Sequence, residues 1–313
     1  MGKRGKQRAY LEIHTAVFLY GFTAILGKLI VFDQLALVWH RLWIAVIGLS
    51  IFPGVIRGIR TIPPKRLLTF LGIGIVVSLH WVSFFGSVKL GNVSVALACL
   101  ATSTLFISIL EPIITRSGFK WFEMFLGLMA IAGIVLVLDV GEAYYRSIIV
   151  GLIAAFLAAL FSSLNKKYIG HNNALSVSVL ELASGFAFLS LVIVVLDYGN
   201  LSQYSLFRND LVSEYSFLGL HLHSFWYLLL LGLLCTSLAY GLTLSSLKVL
   251  SAFSTGLAVN LEPVYGVLMA IAIFHENKEL TPKFYVGTGL ILLSVLVHPF
   301  LASMFDKKPK KVG

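Results

Sequence analysis

The sequence has few charged residues and few cysteines, and it has no nucleotide-binding or nucleophile motif. Charged residues make up only 12% of the 313 positions. The two cysteines, Cys99 and Cys235, both lie inside long apolar runs, which argues against a disulfide framework and against a cysteine metal cluster. Because neither a phosphate-binding glycine loop nor a nucleophile elbow is present, ATP-driven transport by this chain alone is not expected.

Histidine offers two weak metal motifs. His221 and His223 are separated by one residue, but no third ligand is near them. His275 and Glu276 lack the second histidine, three residues further on, that a zincin helix needs. The sequence therefore predicts no metal site, and it implies no cofactor.

Long apolar runs dominate the chain. Hydrophobic residues make up 58% of it and the mean hydropathy is +0.92, values typical of a polytopic membrane protein. Runs long enough to cross a bilayer predict ten helices, at about 12–32, 36–55, 67–88, 93–114, 121–140, 148–164, 174–196, 224–246, 252–274 and 284–301.

The basic residues indicate the orientation. With the N-terminus in the cytoplasm, 17 Lys and Arg residues fall inside and five fall outside. The positive-inside rule then predicts that both the 1–11 tail and the basic 302–313 tail are cytoplasmic, in a multi-pass protein of the inner (plasma) membrane. The same asymmetry accounts for the net charge of +10, so no nucleic-acid partner is required.

Two similar segments indicate an internal repeat. Ser87-Val88-Lys89-Leu90 ends the third predicted helix, and Ser246-Leu247-Lys248-Val249 ends the eighth. Each is followed by an apolar helix, a short polar turn and a further helix that starts around a glycine, Gly127 in one half and Gly287 in the other. The offset between the two glycines agrees with the offset between the two segments, so the second half repeats the order of the first.

The repeat defines the predicted architecture. Because each half contains an odd number of helices, the halves must have opposite orientation. The prediction is an all-α integral membrane fold with ten transmembrane helices in two inverted five-helix repeats, 12–142 and 147–301, the second with an external loop at 197–223. Such folds place the substrate site near the midplane, between the repeats.

Glu262 is the leading candidate for that site. It is the eleventh residue of the apolar run 252–274, and Pro263 follows it. A carboxylate at mid-membrane depth is costly, and proline interrupts helical hydrogen bonding, so an opened helix facing a polar cavity is predicted. The alternative is a buried structural partner of a lysine or arginine. Asn260 and Tyr265 flank Glu262 and could reach the same cavity.

Other polar and aromatic residues inside the predicted helices are candidates for the same cavity. Arg41 could form a structural or gating ion pair or anchor a substrate carboxylate. His80 could couple protons or contact a ligand, and the commoner alternative is a histidine satisfied by a backbone or hydroxyl partner. Aromatic residues that could form apolar walls, or simply pack, are Trp39, Trp81, Tyr20 and Tyr240.

Three further charged residues suggest gating or structural ion pairs. Lys28 ends the first predicted helix, where its side chain could instead reach the headgroups. Glu111 lies close to the cytoplasmic end of its helix and is not the counterpart of Glu262. In the repeat register, Glu181 matches Arg41, so equivalent positions carry opposite charges.

The chain resembles the drug/metabolite transporter superfamily and its ten-helix EamA-type members. In the first half, Tyr20-Gly21, Lys28 and Arg41 look like the aromatic-Gly, Lys and Arg positions of that family. In the second half, Glu276, Leu280-Thr281 and the segment Gly287 to Leu292 resemble its closing pattern, although His275 replaces the usual glycine. The resemblance implies ten helices around a central cavity and transport of small metabolites such as amino acids.

The leading hypothesis is a secondary transporter of a small polar or amphoteric metabolite that works by alternating access, with protons as a candidate coupling ion. A second hypothesis is a flippase or exporter of lipid-linked or amphipathic compounds, which would be favoured by a lateral opening lined by small residues. A third is an intramembrane enzyme that uses Glu262 and His80 as acid and base. The lack of a nucleophile or metal set argues against the third.

Overall fold

The computed structural model describes residues 3–137, 144–196, 224–259, 261–275 and 281–305, and these are almost entirely helical. No strand occurs in these ranges. Six helical spans are each long and apolar enough to cross a membrane. Since a helix satisfies its own backbone hydrogen bonds, it is the form that such apolar runs must take in lipid. The predicted all-α membrane fold is confirmed.

The helices of the first half follow the predicted order. They are α1 (Lys3–Leu29), α2 (Gln34–Ser50), a short α3 (Val55–Arg60), α4 (Pro64–Leu90), α5 (Val93–Ala101), α6 (Ser103–Thr115) and α7 (Trp121–Val137). Helix α1 begins at Lys3 rather than at residue 12, so most of the expected tail is part of the helix. The fourth predicted helix is broken at Thr102 into α5 and α6.

The second half contains one broken helix and one with a π-helical turn. Its elements are α8 (Tyr145–Tyr168), α9 (Ala174–Leu196), α10 (Ser224–Gly232), a π-helical segment (Leu233–Leu238), α11 (Ala239–Leu247), α12 (Ala252–Val259), α13 (Glu262–Phe274) and α14 (Pro282–Phe305). The eighth predicted helix thus includes a π-helical turn, and the ninth is broken just before Glu262.

Side-chain caps mark equivalent helix starts in the two halves. The Asn92 side chain accepts a hydrogen bond from the backbone N–H of Val95 at 2.8 Å, which caps α5. Ser251 Oγ accepts one from the N–H of Ser254 at 3.0 Å at the start of α12. Such caps satisfy amide groups that the first helical turn leaves unpaired. The offset from Asn92 to Ser251 is the same as that from Lys89 to Lys248, as the repeat predicts.

The helix packing is that of two inverted halves. Helix α5 packs against α13 while α6 packs against α12, so the two broken helices run antiparallel through the centre. The packing of α4 on α8 is mirrored by the packing of α11 on α1, and α7 packs against its counterpart α14. The predicted inverted five-helix repeats are therefore confirmed. Both helix breaks lie at the centre of the molecule, beside the cavity described next.

Candidate functional site

A cavity of about 80 Å³ lies between the two broken helices and their neighbours. It has room for more than one water molecule or a small ligand. Six of the predicted site residues line it, namely Glu262, His80, Trp81, Arg41, Tyr20 and Tyr240. The sequence therefore identified residues from α1, α2, α4, α11 and α13 that the fold brings to one place.

Glu262 is the first residue of α13, and its side chain is 5% exposed. The break before it aims the N-terminal end of α13 at the cavity, and the partial positive charge of a helix N-terminus favours a carboxylate there. In the described part of the chain, no hydrogen bond and no ion pair within 4 Å satisfies this carboxylate. The positive charge of Arg41, which lines the same cavity, attracts it from a longer distance.

Arg41 is the largest fully buried side chain, with 1% of its surface exposed. Its Nε donates to Thr236 Oγ1 at 2.5 Å and its Nη2 to the Cys235 carbonyl at 3.4 Å. The guanidinium carbon Cζ of Arg41 lies over the Trp81 ring, 3.9 Å from the ring centroid. Among the described residues, no carboxylate pairs with Arg41, and its Nη1 is buried without a hydrogen-bond partner. The expected ion pair is replaced by a cation–π contact and by bonds to the π-helical segment.

The π-helical segment explains how Arg41 is held. Thr236 Oγ1 donates to the Leu231 carbonyl at 2.7 Å, and Ser237 Oγ donates to the Gly232 carbonyl at 2.9 Å. The widened turn thereby places a hydroxyl oxygen and a backbone carbonyl next to the guanidinium. Single π-helical turns inside α-helices occur frequently at functional sites.

Hydroxyl groups supply most of the remaining polarity of the cavity. Tyr20 Oη and Thr243 Oγ1 are hydrogen-bonded at 2.9 Å. The repeat could have identified Ser103, because it precedes Glu262 by the same offset that relates Lys89 to Lys248 and likewise starts a half-helix, α6. Sequence analysis did not predict the cavity-lining hydroxyls of Thr23, Ser103, Ser162, Thr243 and Thr255.

His80 and aromatic rings form the apolar wall. His80 Nδ1 is hydrogen-bonded to the Ala154 carbonyl at 2.8 Å, which is the backbone-satisfied arrangement given above as the commoner alternative. The Trp81 and Tyr240 rings meet edge to face with centroids 5.9 Å apart. Trp81 and Tyr240 are also related by the offset of the repeat, so this contact joins equivalent positions of the two halves.

Glu181 lies just behind the cavity wall and is fully buried. Its Oε2 is hydrogen-bonded to the Tyr240 hydroxyl and accepts from Asn165 Nδ2 at 3.2 Å. Its partners are therefore a hydroxyl and an amide rather than the cation that was expected. Arg41 touches Trp81, and Glu181 touches Tyr240, so the two repeats present a cation and an acid behind equivalent aromatic rings.

Other predicted residues lie away from the cavity. Trp39 Nε1 donates to Ser190 Oγ at 2.8 Å, and its ring packs on Phe186 of α9. Tyr265 is 39% exposed and its ring contacts Phe18. Trp39 therefore acts in helix packing, the alternative given above for it, and Tyr265 does not line the cavity that it was expected to reach. Asn260, Glu276, His221 and His223 lie outside the described residues.

Glu111 and Lys28 make contacts at the helix ends. Glu111 accepts hydrogen bonds from the backbone N–H groups of Ala252 at 3.0 Å and Phe253 at 2.7 Å, so it caps the start of α12. Lys28 lies 4.6 Å from the centroid of the Phe274 ring at the end of α13. Both residues join the first repeat to the second. For Glu111 a backbone cap takes the place of the expected ion pair, and Lys28 makes a cation–π contact.

Comparisons with known proteins agree with this architecture. A solved structure, titled only as the crystal structure of a protein, superposes with a TM-score of 0.67 at 15% sequence identity and covers 95% of this chain and 98% of its own. At that identity the likeness shows the fold alone. Comparison with curated proteins finds no match. The family described as the EamA-like transporter family matches twice, over residues 7–139 and 145–298. The chain therefore belongs to the EamA-like transporter family, as its sequence motifs had suggested.

Proposed function

We propose that this membrane transporter moves a small amphoteric metabolite, with an amino acid as the type case, by alternating access around the central cavity. The observation that carries the proposal is that Glu262 and Arg41 line one small cavity without pairing with each other. A zwitterion would satisfy both groups, because its ammonium group can bind the Glu262 carboxylate while its carboxylate takes the unpartnered Nη1 of Arg41.

In each half, a lysine ties together two helices at one end of the molecule. At the outer end, Lys89 Nζ donates to the Ile30 carbonyl at 2.5 Å, which ties α4 to the end of α1. At the cytoplasmic end, Lys166 Nζ donates to the carbonyls of Leu247 at 2.9 Å and Leu250 at 2.5 Å, which ties α8 to the end of α11. These are equivalent helix pairs in the two repeats. Because the two ties lie at opposite ends, loosening one of them would free helix ends on one side of the membrane only, as alternating access requires.

A second groove bears on the amphipathic alternative. It is lined by leucines and small residues of α2, α9 and the eighth transmembrane segment, with Arg8 and Lys248 at its cytoplasmic end. Among the described residues, it shares no lining residue with the cavity that holds Glu262 and Arg41. In this groove Arg8 pairs with Glu12 at 2.8 Å, whereas among the described residues of the central cavity Arg41 keeps an unpartnered Nη1 and Glu262 is unpaired. The groups left for a charged ligand therefore favour a small polar substrate over a lipid-linked one.

The test is exchange of a labelled mixture of amino acids by the purified protein in liposomes. The wild type is expected to exchange at least one of them. Glu262→Gln should weaken that exchange by about tenfold or more, because a hydrogen bond to a charged group contributes about 1.5–3 kcal/mol. Glu123→Gln is the matched control, since Glu123 is also a buried acid but belongs to α7 and pairs with Lys120 at 3.6 Å. No exchange by folded wild-type protein, or equal exchange by Glu262→Gln, would overturn the proposal.

A further inference from the structure

Glu181 is a buried acid to which the proposed binding of substrate assigns no role. Its side chain is fully buried, and its only described polar partners are the Tyr240 hydroxyl and Asn165 Nδ2, both at Oε2. The other oxygen, Oε1, is buried without a partner, and so is Asn165 Oδ1. Among the described residues, no salt bridge accounts for this buried acid.

The surroundings of Glu181 favour a neutral carboxylic acid. Helix α9 packs against α2, α3, α4 and α11. Of the titratable and charged groups on these elements, the one that faces the carboxyl group is Tyr240 of α11, and no described cation interacts with it. A buried carboxylate without a cation costs several kcal/mol, whereas a protonated carboxyl group avoids that cost and can use its O–H as a donor.

Tyr240 connects this acid to the cavity. It lines the cavity beside Trp81, and its hydroxyl donates a hydrogen bond to Glu181 Oε2. A hydroxyl both donates and accepts, so it can pass a proton without keeping one. When the Tyr240 oxygen accepts a proton from cavity water, its own hydrogen moves to Glu181 Oε2, and release follows the same path in reverse.

We infer that Glu181 is the proton-binding residue of the transport cycle, loaded through Tyr240, and that a proton and the substrate move together. This inference rests on the proposed function. The coupling follows from the direction of the hydrogen bond between Glu181 and Tyr240. A protonated Glu181 can donate to the Tyr240 oxygen. The Tyr240 hydrogen is then free to bond an anionic group of the bound substrate. Substrate and proton then each favour the binding of the other, as linkage requires.

The first experiment needs no substrate. The infrared spectrum of the wild type at neutral pH is compared with that of Glu181→Gln. The difference should be a protonated-carboxyl band that the wild type has and Glu181→Gln lacks. Tyr227→Phe should keep the band. Tyr227 is the matched control because it is also fully buried in the same transmembrane segment, does not line the cavity, and has a hydroxyl with no hydrogen-bond partner. Loss of an ionised-carboxylate band instead, or an unchanged spectrum, would overturn the inference.

The second experiment separates coupling from binding. In liposomes with an alkaline lumen, the wild type should accumulate the labelled amino acid and carry protons inward with it. Glu181→Gln, which imitates the protonated acid, should lose accumulation and proton movement but keep gradient-free exchange. Tyr240→Phe should slow the gradient-driven step, while Tyr227→Phe should not.

The outcomes of the second experiment are distinguishable from failure of the proposed function. If the wild type exchanges no amino acid, the proposed function fails, and the infrared result still decides the protonation of Glu181. If the wild type exchanges but Glu181→Gln accumulates substrate as well as the wild type does, only the inference about Glu181 fails. Accumulation that needs an acidic lumen would also overturn it, because substrate and proton would then move in opposite directions.

Discussion

Polar residues at equivalent positions of the two repeats satisfy their hydrogen bonds in different ways. Arg41 bonds a hydroxyl and a carbonyl of the π-helical segment, and Glu181 bonds the Tyr240 hydroxyl. The sequence predicted that both residues matter, because charge inside apolar runs is costly. The sequence could not predict their partners, because hydroxyl groups and backbone carbonyls are uncharged and do not stand out in a pattern of charged residues. Ion pairs were therefore expected where hydroxyl, amide and carbonyl partners occur.

Glu111 offers a test of how much such a partner stabilises the fold. Glu111→Ala should lower the stability of the folded protein by about 1.5–3 kcal/mol, because it removes a charged acceptor from the two N–H groups that start α12. Glu111→Gln should lose less, since its amide oxygen can still accept. Thermal unfolding in detergent measures both. Equal stability of the wild type and Glu111→Ala would show that the cap does not stabilise α12.

Most helices were predictable as elements, but the breaks within three of them were not all predictable. The apolar runs identified the long helices of the described part of the chain, because length and hydropathy decide whether a helix can cross a bilayer. Pro263 correctly indicated the break before α13. The break at Thr102 carries no proline, and the π-helical turn at Leu233–Leu238 has no signal in the apolar pattern. A residue-by-residue comparison of the repeats would have located the break at Thr102, since Ser103 matches Glu262.

The close crossing of α4 and α9 requires Gly74. A Cβ at Gly74 would collide with the backbone carbonyl oxygen of Glu181, and a backbone atom cannot move aside cheaply. Small residues at such crossings allow membrane helices to approach closely. Gly74→Ala should therefore destabilise the fold by about 1–3 kcal/mol, the usual cost of overpacking, and disturb Glu181.

Gly72 supplies the control for this substitution. It lies on the same helix, and a Cβ there would meet nothing within 4 Å, so Gly72→Ala should leave stability unchanged or slightly improved. Unfolding temperatures of the two variants in detergent compare them directly. Equal behaviour of the two variants would mean that α4 and α9 can separate at no cost.

The inverted repeat explains why the site is assembled from both halves. The antiparallel central pair brings the start of α6 and the start of α13 to one cavity, and the matched rings of Trp81 and Tyr240 meet beside it. The sequence predicted this plan from a few matching residues at a constant offset. The volume of the cavity and its hydroxyl lining depend on how the helices pack, which a pattern of apolar runs does not specify.

The distribution of basic residues predicts the orientation of the molecule in the membrane. Arg60 and Arg146 are both exposed, at the end of α3 and the start of α8. With both termini in the cytoplasm, Arg60→Cys should face the cytoplasm and Arg146→Cys the outside. A membrane-impermeant thiol reagent added to intact cells should label Arg146→Cys at once and Arg60→Cys only after permeabilisation. The native Cys99 and Cys235 are buried, so the parent protein should show little background.

Two other labelling patterns would contradict this orientation in different ways. The reverse pattern would invert the molecule and exchange the sides assigned to the Lys89 and Lys166 ties. Labelling of both positions in intact cells would instead place Arg60 and Arg146 on one side of the membrane. That result would contradict the odd number of spans that the repeat puts between them, because α4, the α5–α6 pair and α7 each cross once in the inverted architecture.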